Sequence, residues 1–133
     1  MVSLLIVDDS EPERYMIERV SKRSGLFEHI QTAENGEEAL NILNLKNQVS
    51  ELKPPNKLPT IILLDINMPI LGGLEFLELF NPGDNPIHIY ILSSSSNEED
   101  RLKAQAYPHV KGFLNKPFKK AHLCEIKNNL SAS

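Results

Sequence analysis

Short apolar runs alternate with helix-like segments along the whole chain, and this alternation restricts the fold more than any other feature. The runs at residues 4–7 and 61–64 are continuously apolar, which is typical of parallel strands that are buried on both faces. Weaker strands are predicted at residues 29–33, 87–92 and 110–114. Five strands separated by helices predict an α/β fold, in which right-handed crossovers place helices on both faces of a doubly wound parallel sheet.

Local signals define the first of these helices most clearly. Ser10 can accept a hydrogen bond as its N-terminal cap, and the helix should continue to about Ser24 because a glycine follows. Met16, Ile17 and Val20 are predicted to form its apolar stripe. This segment therefore follows the first strand as the helix of a βα unit.

The remaining helices follow the later strands. Asn35 is predicted to cap one of them, and the polar residues 44–59 after it predict an extended loop. Pro108 should end the fourth helix early, because proline cannot continue a helix. The last helix carries Cys124 on its apolar stripe, where we expect a small buried side chain, and residues 131–133 should form a tail.

The composition fits one compact domain and disfavours several functions. The chain has 133 residues and a formal net charge of −4, so it lacks the strongly basic character that nucleic-acid binding requires. No apolar run is long enough to span a bilayer, and the first residues lack the basic start of a signal peptide. The single cysteine allows no internal disulfide. We therefore expect a cytoplasmic protein that binds neither membrane nor nucleic acid.

Polar side chains stand where the predicted strands end. Five of them share this position: Asp8, Asp9, Asp65, Ser93 and Lys116. In a doubly wound sheet the carboxyl ends of the parallel strands lie along one edge, and ligands bind at that edge. These five side chains should therefore converge although they are far apart in the sequence.

The chemistry of the set is more specific than that of any member. An Asp-Asp pair after a strand is by itself usually a turn or a helix cap. Three carboxylates brought together repel one another and require a cation, and oxygen ligands without histidine or cysteine suit Mg²⁺ or Mn²⁺ better than zinc. The lysine and the serine hydroxyl add a positive charge and a hydrogen-bond donor. Together these groups predict a phosphoryl site with a carboxylate nucleophile.

Six pieces of the chain carry a family resemblance, and they stand in that family's order: IVDDS at residues 6–10, AENGEEAL at 33–40, LDINMP at 64–69, Gly73, LSSS at 92–95 and NKPF at 115–118. With these motifs the chain resembles the receiver domain of bacterial-type response regulators. Residues 93–100 and the long loop before the third strand are most similar to single-domain regulators of the phytochrome-associated kind.

The resemblance implies a flavodoxin-like (βα)5 receiver fold with strand order 2-1-3-4-5, and one receiver domain over residues 1–133 with no effector domain. Asp65 would accept a phosphoryl group from a phosphohistidine on a sensor histidine kinase or a phosphotransfer protein. The domain would catalyse only its own phosphorylation and dephosphorylation, so it would be a regulator rather than an enzyme. Its output would pass to an unidentified protein or along a phosphorelay, from a monomer or a weak phosphorylation-dependent homodimer.

The resemblance also implies how the metal is held. Asp9 and Asp65 would ligate Mg²⁺ directly, together with the backbone carbonyl of Asn67. Asp8 would act mainly through a bound water, and Mn²⁺ could replace Mg²⁺. The metal site would therefore use the acids that follow the first and third strands.

The same resemblance assigns the groups around the phosphoryl oxygens. Ser93 would donate a hydrogen bond to them and Lys116 would pair with them, with a cis bond between Lys116 and Pro117. Asn67 and Ser95 stand at positions where the family sets the rate of self-dephosphorylation. Phe113 stands at the position of the family's switch aromatic, which would report the phosphorylation state to the surface.

Two alternatives stay open at this point. The chain could keep the fold as an interaction module that works without phosphorylation, and Phe113 could be ordinary packing in a strand. A hydrolase with an aspartate nucleophile is disfavoured. That chemistry generally needs a second acid two residues after the nucleophile, and the chain has Asn67 there.

Overall fold

A computed structural model describes residues 2–47, 61–80, 87–93 and 98–132 of the chain. Its five strands are β1 Val2–Val7, β2 Phe27–Ala33, β3 Ile61–Asp65, β4 His88–Ser93 and β5 Val110–Asn115. They pair in parallel in the order β2-β1-β3-β4-β5. This confirms the predicted α/β class and the doubly wound strand order 2-1-3-4-5.

A helix follows each strand: α1 Glu11–Ser24, α2 Gly36–Asn47, α3 Gly73–Leu79, α4 Glu98–Gln105 and α5 Lys120–Ala132. Buried side chains form two clusters, one on each face of the sheet. One contains residues of α2, α3 and α4, and the other contains residues of α1 and α5. The central strand β3 is buried over its whole length because both faces are covered, which explains its continuous apolar run.

The register of the sheet brings the strand ends to one edge. Val7 pairs with Leu64, so the residues after them, Asp8 and Asp65, lie at the same level. Farther along, Asp65 pairs with Leu92, and Ser93 then pairs with Asn115. The polar residues Asp65, Ser93 and Lys116 thus each stand about one residue farther along the sheet than the one on the strand before. The polar residues at their ends therefore lie close together, as predicted.

Helix α1 begins and ends at the signals that the sequence contains. The Glu13 N–H donates to Ser10 Oγ at 3.4 Å, and Gly25 ends the helix with a φ of 70°. The assignment of Met16 to the apolar stripe is wrong, because its side chain is 39% exposed. The buried stripe passes through Ile17 and Ser21, four residues apart, and Met16 lies outside it.

Of four other expectations for the helices, three need correction and one is confirmed. Residues 44–47 belong to α2 rather than to a loop, whereas the rest of the predicted loop, residues 48–59, lies outside the described residues. Helix α5 continues to Ala132, so residues 131 and 132 are helical rather than a tail. Cys124 is exposed, because the buried positions of α5 are its neighbours Leu123 and Ile126. The expected effect of Pro108 is confirmed, since α4 ends at Gln105.

None of the helices in the described parts of the chain combines the length and the hydrophobicity that crossing a bilayer requires.

Candidate functional site

Three carboxylates meet at the edge of the sheet where β1 and β3 end. One ligand oxygen from each of Asp8, Asp9 and Asp65 lies within 4.8 Å of the other two. Asp8 and Asp65 are buried, whereas Asp9 faces solvent. The cluster therefore combines two carboxylates that are shielded from water with one that remains open to it.

Asp8 is held through its backbone and through both oxygens of its buried carboxylate. Its backbone N–H continues the β1–β2 ladder by donating to the Ala33 carbonyl at 3.1 Å. The Ser10 N–H donates to Asp8 Oδ1 at 2.9 Å, and Lys116 Nζ lies 2.9 Å from Asp8 Oδ2. These contacts fix the orientation of the carboxylate before any ligand arrives, and the lysine partly neutralises it.

A residue that the sequence did not single out, Arg14, fixes the backbone at the same point. Its Nη1 donates to the Asp8 carbonyl at 2.7 Å, and its Nη2 lies 3.7 Å from Glu34 Oε1. The guanidinium, which is mostly buried, thereby connects the end of β1 to the loop after β2. The only local signal for this role is a basic residue in the second turn of the helix that follows the acidic pair.

Asp65 is the last residue of β3, and its carboxyl group contacts both a backbone N–H and the lysine. Its Oδ1 accepts from the Asn67 N–H at 3.2 Å, and its Oδ2 lies 3.4 Å from Lys116 Nζ. Burial, and secondly the charge of Asp8, raise the pKa of Asp65 from 3.8 to about 6, although Lys116 and the Asn67 N–H lower it in part. The lysine alone thus does not offset the cost of burying two carboxylates side by side.

Lys116 follows β5 and stands between the two buried carboxylates. Its N–H donates to the Ser93 carbonyl at 3.0 Å, which ties the ends of β4 and β5 together, and its bond to Pro117 is cis. Burial by itself lowers the pKa of Lys116, but its hydrogen bond to Asp8 and the charge of Asp65 raise that pKa above its ordinary value. Lys116 is therefore a cation throughout the neutral range.

The connection from β3 to α3 packs closely around the end of β3. The Gly73 N–H donates to the Ile66 carbonyl at 2.9 Å, and a Cβ at Gly73 would lie 2.5 Å from the Asp65 carbonyl oxygen. Only glycine fits there without displacing the backbone of Asp65. Asn67 lies between Asp65 and Gly73 in the sequence and is exposed. Because its N–H donates to Asp65 Oδ1, its backbone lies beside the acidic cluster, at the open side of the site.

Next in this connection is a tight turn centred on Ile70. The Leu71 N–H donates to the Pro69 carbonyl at 2.7 Å, and Ile70 has a φ of 67°, which a β-branched residue rarely adopts. Its side chain is exposed, so the turn presents an apolar group beside the site at the cost of local backbone strain.

Phe113 lies on β5, three residues before Lys116. Its half-buried ring packs against the cluster on the α2–α4 face. The guanidinium carbon of Arg101, on α4, lies 4.8 Å from the ring centroid in a cation–π contact. No sequence signal connected Arg101 with Phe113, because the contact depends on how α4 packs beside β5. Of the other predicted residues, Ser95 lies outside the described residues.

The donor set fits a hard divalent cation. Three carboxylates face one lysine, so the cluster keeps an excess of negative charge, and every side-chain ligand is an oxygen. Such sites suit Mg²⁺ or Mn²⁺. The same edge presents a buried carboxylate beside an ammonium group, which is the arrangement that phosphoryl transfer to an aspartate requires.

Comparison with known proteins agrees with this geometry. The family model described as response regulator receiver domain matches residues 4–128. The chemotaxis protein CheY of Listeria monocytogenes is 34% identical over 125 residues, which cover 94% of this chain and 94% of that protein. The chain therefore belongs to the response regulator receiver family of two-component systems. Several other curated relatives are longer, and the chain spans only 30% to 46% of their length.

Solved structures show the same fold. A two-component response regulator from Cytophaga hutchinsonii matches with a TM-score of 0.82 and 28% identity, and the match covers 98% of this chain and 97% of that one. The bacteriophytochrome response regulator AtBRR matches with a TM-score of 0.77 and 26% identity, over 98% of this chain and 93% of that one. The predicted receiver fold is confirmed.

Proposed function

We propose that the chain is a phosphoacceptor regulator in which Asp65 takes a phosphoryl group from the phosphohistidine of a sensor kinase or a phosphotransfer protein. The observation that carries this proposal is the position of Asp65. Its carboxylate is buried at the end of β3, 3.4 Å from Lys116 Nζ, inside a cluster of acids whose ligand atoms lie within 4.8 Å of one another.

The transfer requires an ionised Asp65. One of its carboxylate oxygens attacks phosphorus, the new O–P bond forms as the N–P bond breaks, and the imidazole of the donor leaves with the electron pair. With a pKa of about 6, Asp65 is largely ionised at neutral pH even before a ligand binds. The Asn67 N–H holds Oδ1 and limits rotation of the carboxylate.

The remaining side chains of the site bind the oxygens of the transferred group. Lys116 already stands between Asp8 and Asp65, so its ammonium can pair with a phosphoryl oxygen without leaving Asp8. Ser93, at the end of β4, would donate its hydroxyl hydrogen. Both residues thus stabilise charge on the phosphoryl group, where electrostatic catalysis of this reaction acts.

Asp8, Asp9, Asp65 and the Asn67 carbonyl would hold the divalent cation, Mg²⁺ or Mn²⁺. When bound, the cation supplies positive charge that lowers the repulsion between an incoming phosphoryl group and the acids. The exposed position of Asp9 suits this role, because a metal that retains several waters needs an open side of the site.

Phosphorylation would act as a switch through Phe113. The charge at Asp65 changes from about −1 to about −2, and the group gains acceptor oxygens that can draw Ser93 toward it. Phe113 would then move into the space beside β4 and leave the Arg101 guanidinium that now lies over it. The surface formed by α4, β5 and α5 would change as a result, because the population of molecules would shift between two packings of Phe113.

The output would be a protein interaction or a phosphorelay in the cytoplasm, with residues 1–133 working as one receiver domain, a monomer or a weak phosphorylation-dependent homodimer. A histidine kinase or phosphotransfer protein is the upstream partner in this proposal, and the domain acts as a regulator rather than an enzyme. The intact acidic cluster supports this function over an interaction module that works without phosphorylation.

Incubation with acetyl phosphate and Mg²⁺ tests the proposal. The wild type should gain the mass of one phosphoryl group, and peptide mapping should place it on Asp65. Asp65→Asn should gain none, whereas Asp100→Asn, a matched change outside the site, should behave as the wild type. An unmodified wild type, together with no response to beryllofluoride, would overturn the proposal and favour the phosphorylation-independent module.

A further inference from the structure

A groove separates the C-terminal half of α1 from the first half of α5. It consists of two adjoining depressions of about 310 and 330 Å³ that share three lining residues. We call it the α1–α5 groove, and its principal lining residues are three apolar and three basic ones: Val20, Leu26, Leu123, Arg23, Lys120 and Lys127. It includes none of the residues assigned to the phosphoryl site.

Three basic residues give this groove a local positive charge. Arg23, Lys120 and Lys127 are exposed, and among the described residues none of them has a carboxylate within ion-pair distance. Of the residues that the structure describes, no aspartate or glutamate lines either depression. The chain as a whole has a net charge of −4. Three unpaired cations around one groove in an acidic protein therefore favour an anionic ligand.

The apolar lining of the groove favours a ligand that carries apolar groups as well as negative charges. Leu123 is buried and belongs to the cluster on the α1–α5 face of the sheet, against which the half-buried Val20 packs. Leu26, also half-buried, lines the second depression. A ligand that fills the groove must therefore place apolar groups between its negative charges. A nucleic-acid backbone does not do so, and the net negative charge of the protein would repel it.

The spacing of the lysines indicates the shape of such a ligand. Lys120 and Lys127 are seven residues apart on α5, which corresponds to two helical turns or about 10 Å. A partner helix places carboxylates at positions i and i+7 at the same separation and on the same face. Apolar side chains at i+3 and i+4 then lie between the carboxylates and face the apolar lining.

We propose that the α1–α5 groove binds an acidic amphipathic helix of a partner protein, with carboxylates at i and i+7 pairing with Lys120 and Lys127 and apolar residues at i+3 and i+4 contacting Leu123. Arg23 closes the opposite side of the groove and supplies a third cation. The surface acts independently of Asp65, so it gives the protein a second site of interaction besides the one that phosphorylation would control.

A fluorescent helical peptide with Glu at i and i+7 and Leu at i+3 and i+4 tests the proposal by anisotropy with the full chain. Replacement of both Glu by Gln, or of both Leu by Ala, should weaken binding about tenfold or more. The double variant Lys120→Glu/Lys127→Glu should lose a similar factor. Arg19→Glu, one charge reversal of the same kind on an exposed α1 residue outside the groove, should bind within about twofold of the wild type.

The single cysteine gives an independent readout of where the peptide binds. Cys124 is exposed and lines the groove, so a peptide whose terminal thiol is activated as a 2-pyridyl disulfide should be captured on it, and Cys124→Ser should prevent this. The Cys124 sulfur attacks the peptide sulfur to form the new disulfide, and pyridine-2-thione leaves with the electron pair. Asp65→Asn should bind the peptide as the wild type does, which separates this result from the test of phosphorylation. Equal binding of the Glu and Gln peptides, equal binding by the Lys120→Glu/Lys127→Glu and Arg19→Glu variants, or absence of capture at Cys124 would overturn the proposal.

Discussion

Asp65→Asn should stabilise the protein at neutral and alkaline pH when no divalent cation is present. The folded protein holds the Asp65 proton more tightly than the unfolded chain does, because the pKa is about 6 in the fold and 3.8 without it. The contribution of Asp65 to stability is therefore greatest in acid, falls as the pH rises from about 4 to about 6, and stays low above that. An asparagine keeps the shape and the Oδ1 acceptor but carries no charge, so it avoids this loss.

The magnitude follows from the same shift. A rise in pKa from 3.8 to about 6 corresponds to a loss of about 3 kcal/mol of unfolding free energy at about pH 8. The side chain is only 6% exposed, so solvent screening reduces this value little. Between about pH 5 and pH 8, the difference between Asp65→Asn and the wild type should grow by about 1.5 kcal/mol.

Urea denaturation of both proteins in a chelator, at about pH 5 and pH 8, measures this change. Asp100→Asn is the matched control and should show no such growth with pH. The comparison within each pH cancels the contribution of carboxyl groups that lie far from Asp65 and are common to both proteins. A difference between Asp65→Asn and the wild type that is the same at both pH values would refute the reasoning, because burial would then not raise the pKa of Asp65.

Three further predictions concern the surroundings of the cluster. Mg²⁺ at about 100 times its dissociation constant should raise the free energy of unfolding of the wild type by about 2.7 kcal/mol, and a thermal melt at pH 8 measures this gain. Asp9→Asn should remove most of it. Gly73→Ala should lower the free energy of unfolding in urea by about 2 kcal/mol or more, because the new Cβ would lie 2.5 Å from the Asp65 carbonyl oxygen. An unchanged free energy of unfolding would show that this backbone can move. Arg101→Ala should lower the free energy of unfolding by only about 0.5 to 1 kcal/mol, but it should shift the NMR signals of the Phe113 ring. Unchanged ring signals would contradict the cation–π contact.

The strand ends could be predicted because sheet geometry fixes them. A continuous apolar run identifies β3 as a central strand, and the residue after such a run lies at the carboxyl edge. The location of three side chains at this edge therefore follows from their position after a strand: Asp8, Asp65 and Lys116. Their carboxylate and ammonium groups do come together in the structure. Their assigned roles in phosphoryl transfer stay predictions until modification of Asp65 is measured.

Features that depend on the rotation of a helix could not be predicted in the same way. Met16 and Cys124 are next to buried residues in the sequence, yet one step along a helix turns a side chain by about 100°, which is enough to expose both. Arg14 and Arg101 acquire their partners only when α1 and α4 pack against the sheet. Tertiary packing decides these contacts, and no local pattern records it.

Lys116 explains how one site can both hold a resting state and respond to a change of charge. It lies 2.9 Å from Asp8 and 3.4 Å from Asp65, so its charge is divided between two buried carboxylates and satisfies neither completely. The raised pKa of Asp65 reflects the cost of burying negative charge that Lys116 does not fully neutralise. Any positive charge that enters beside the acids lowers this cost. In the proposed function, phosphorylation of Asp65 would shift Lys116 toward the phosphoryl oxygens, because they carry more charge than Asp8 does. This imbalance of charge in the unliganded site favours the binding of a cation beside the acids, whereas a switch through β4, β5 and Phe113 stays a prediction.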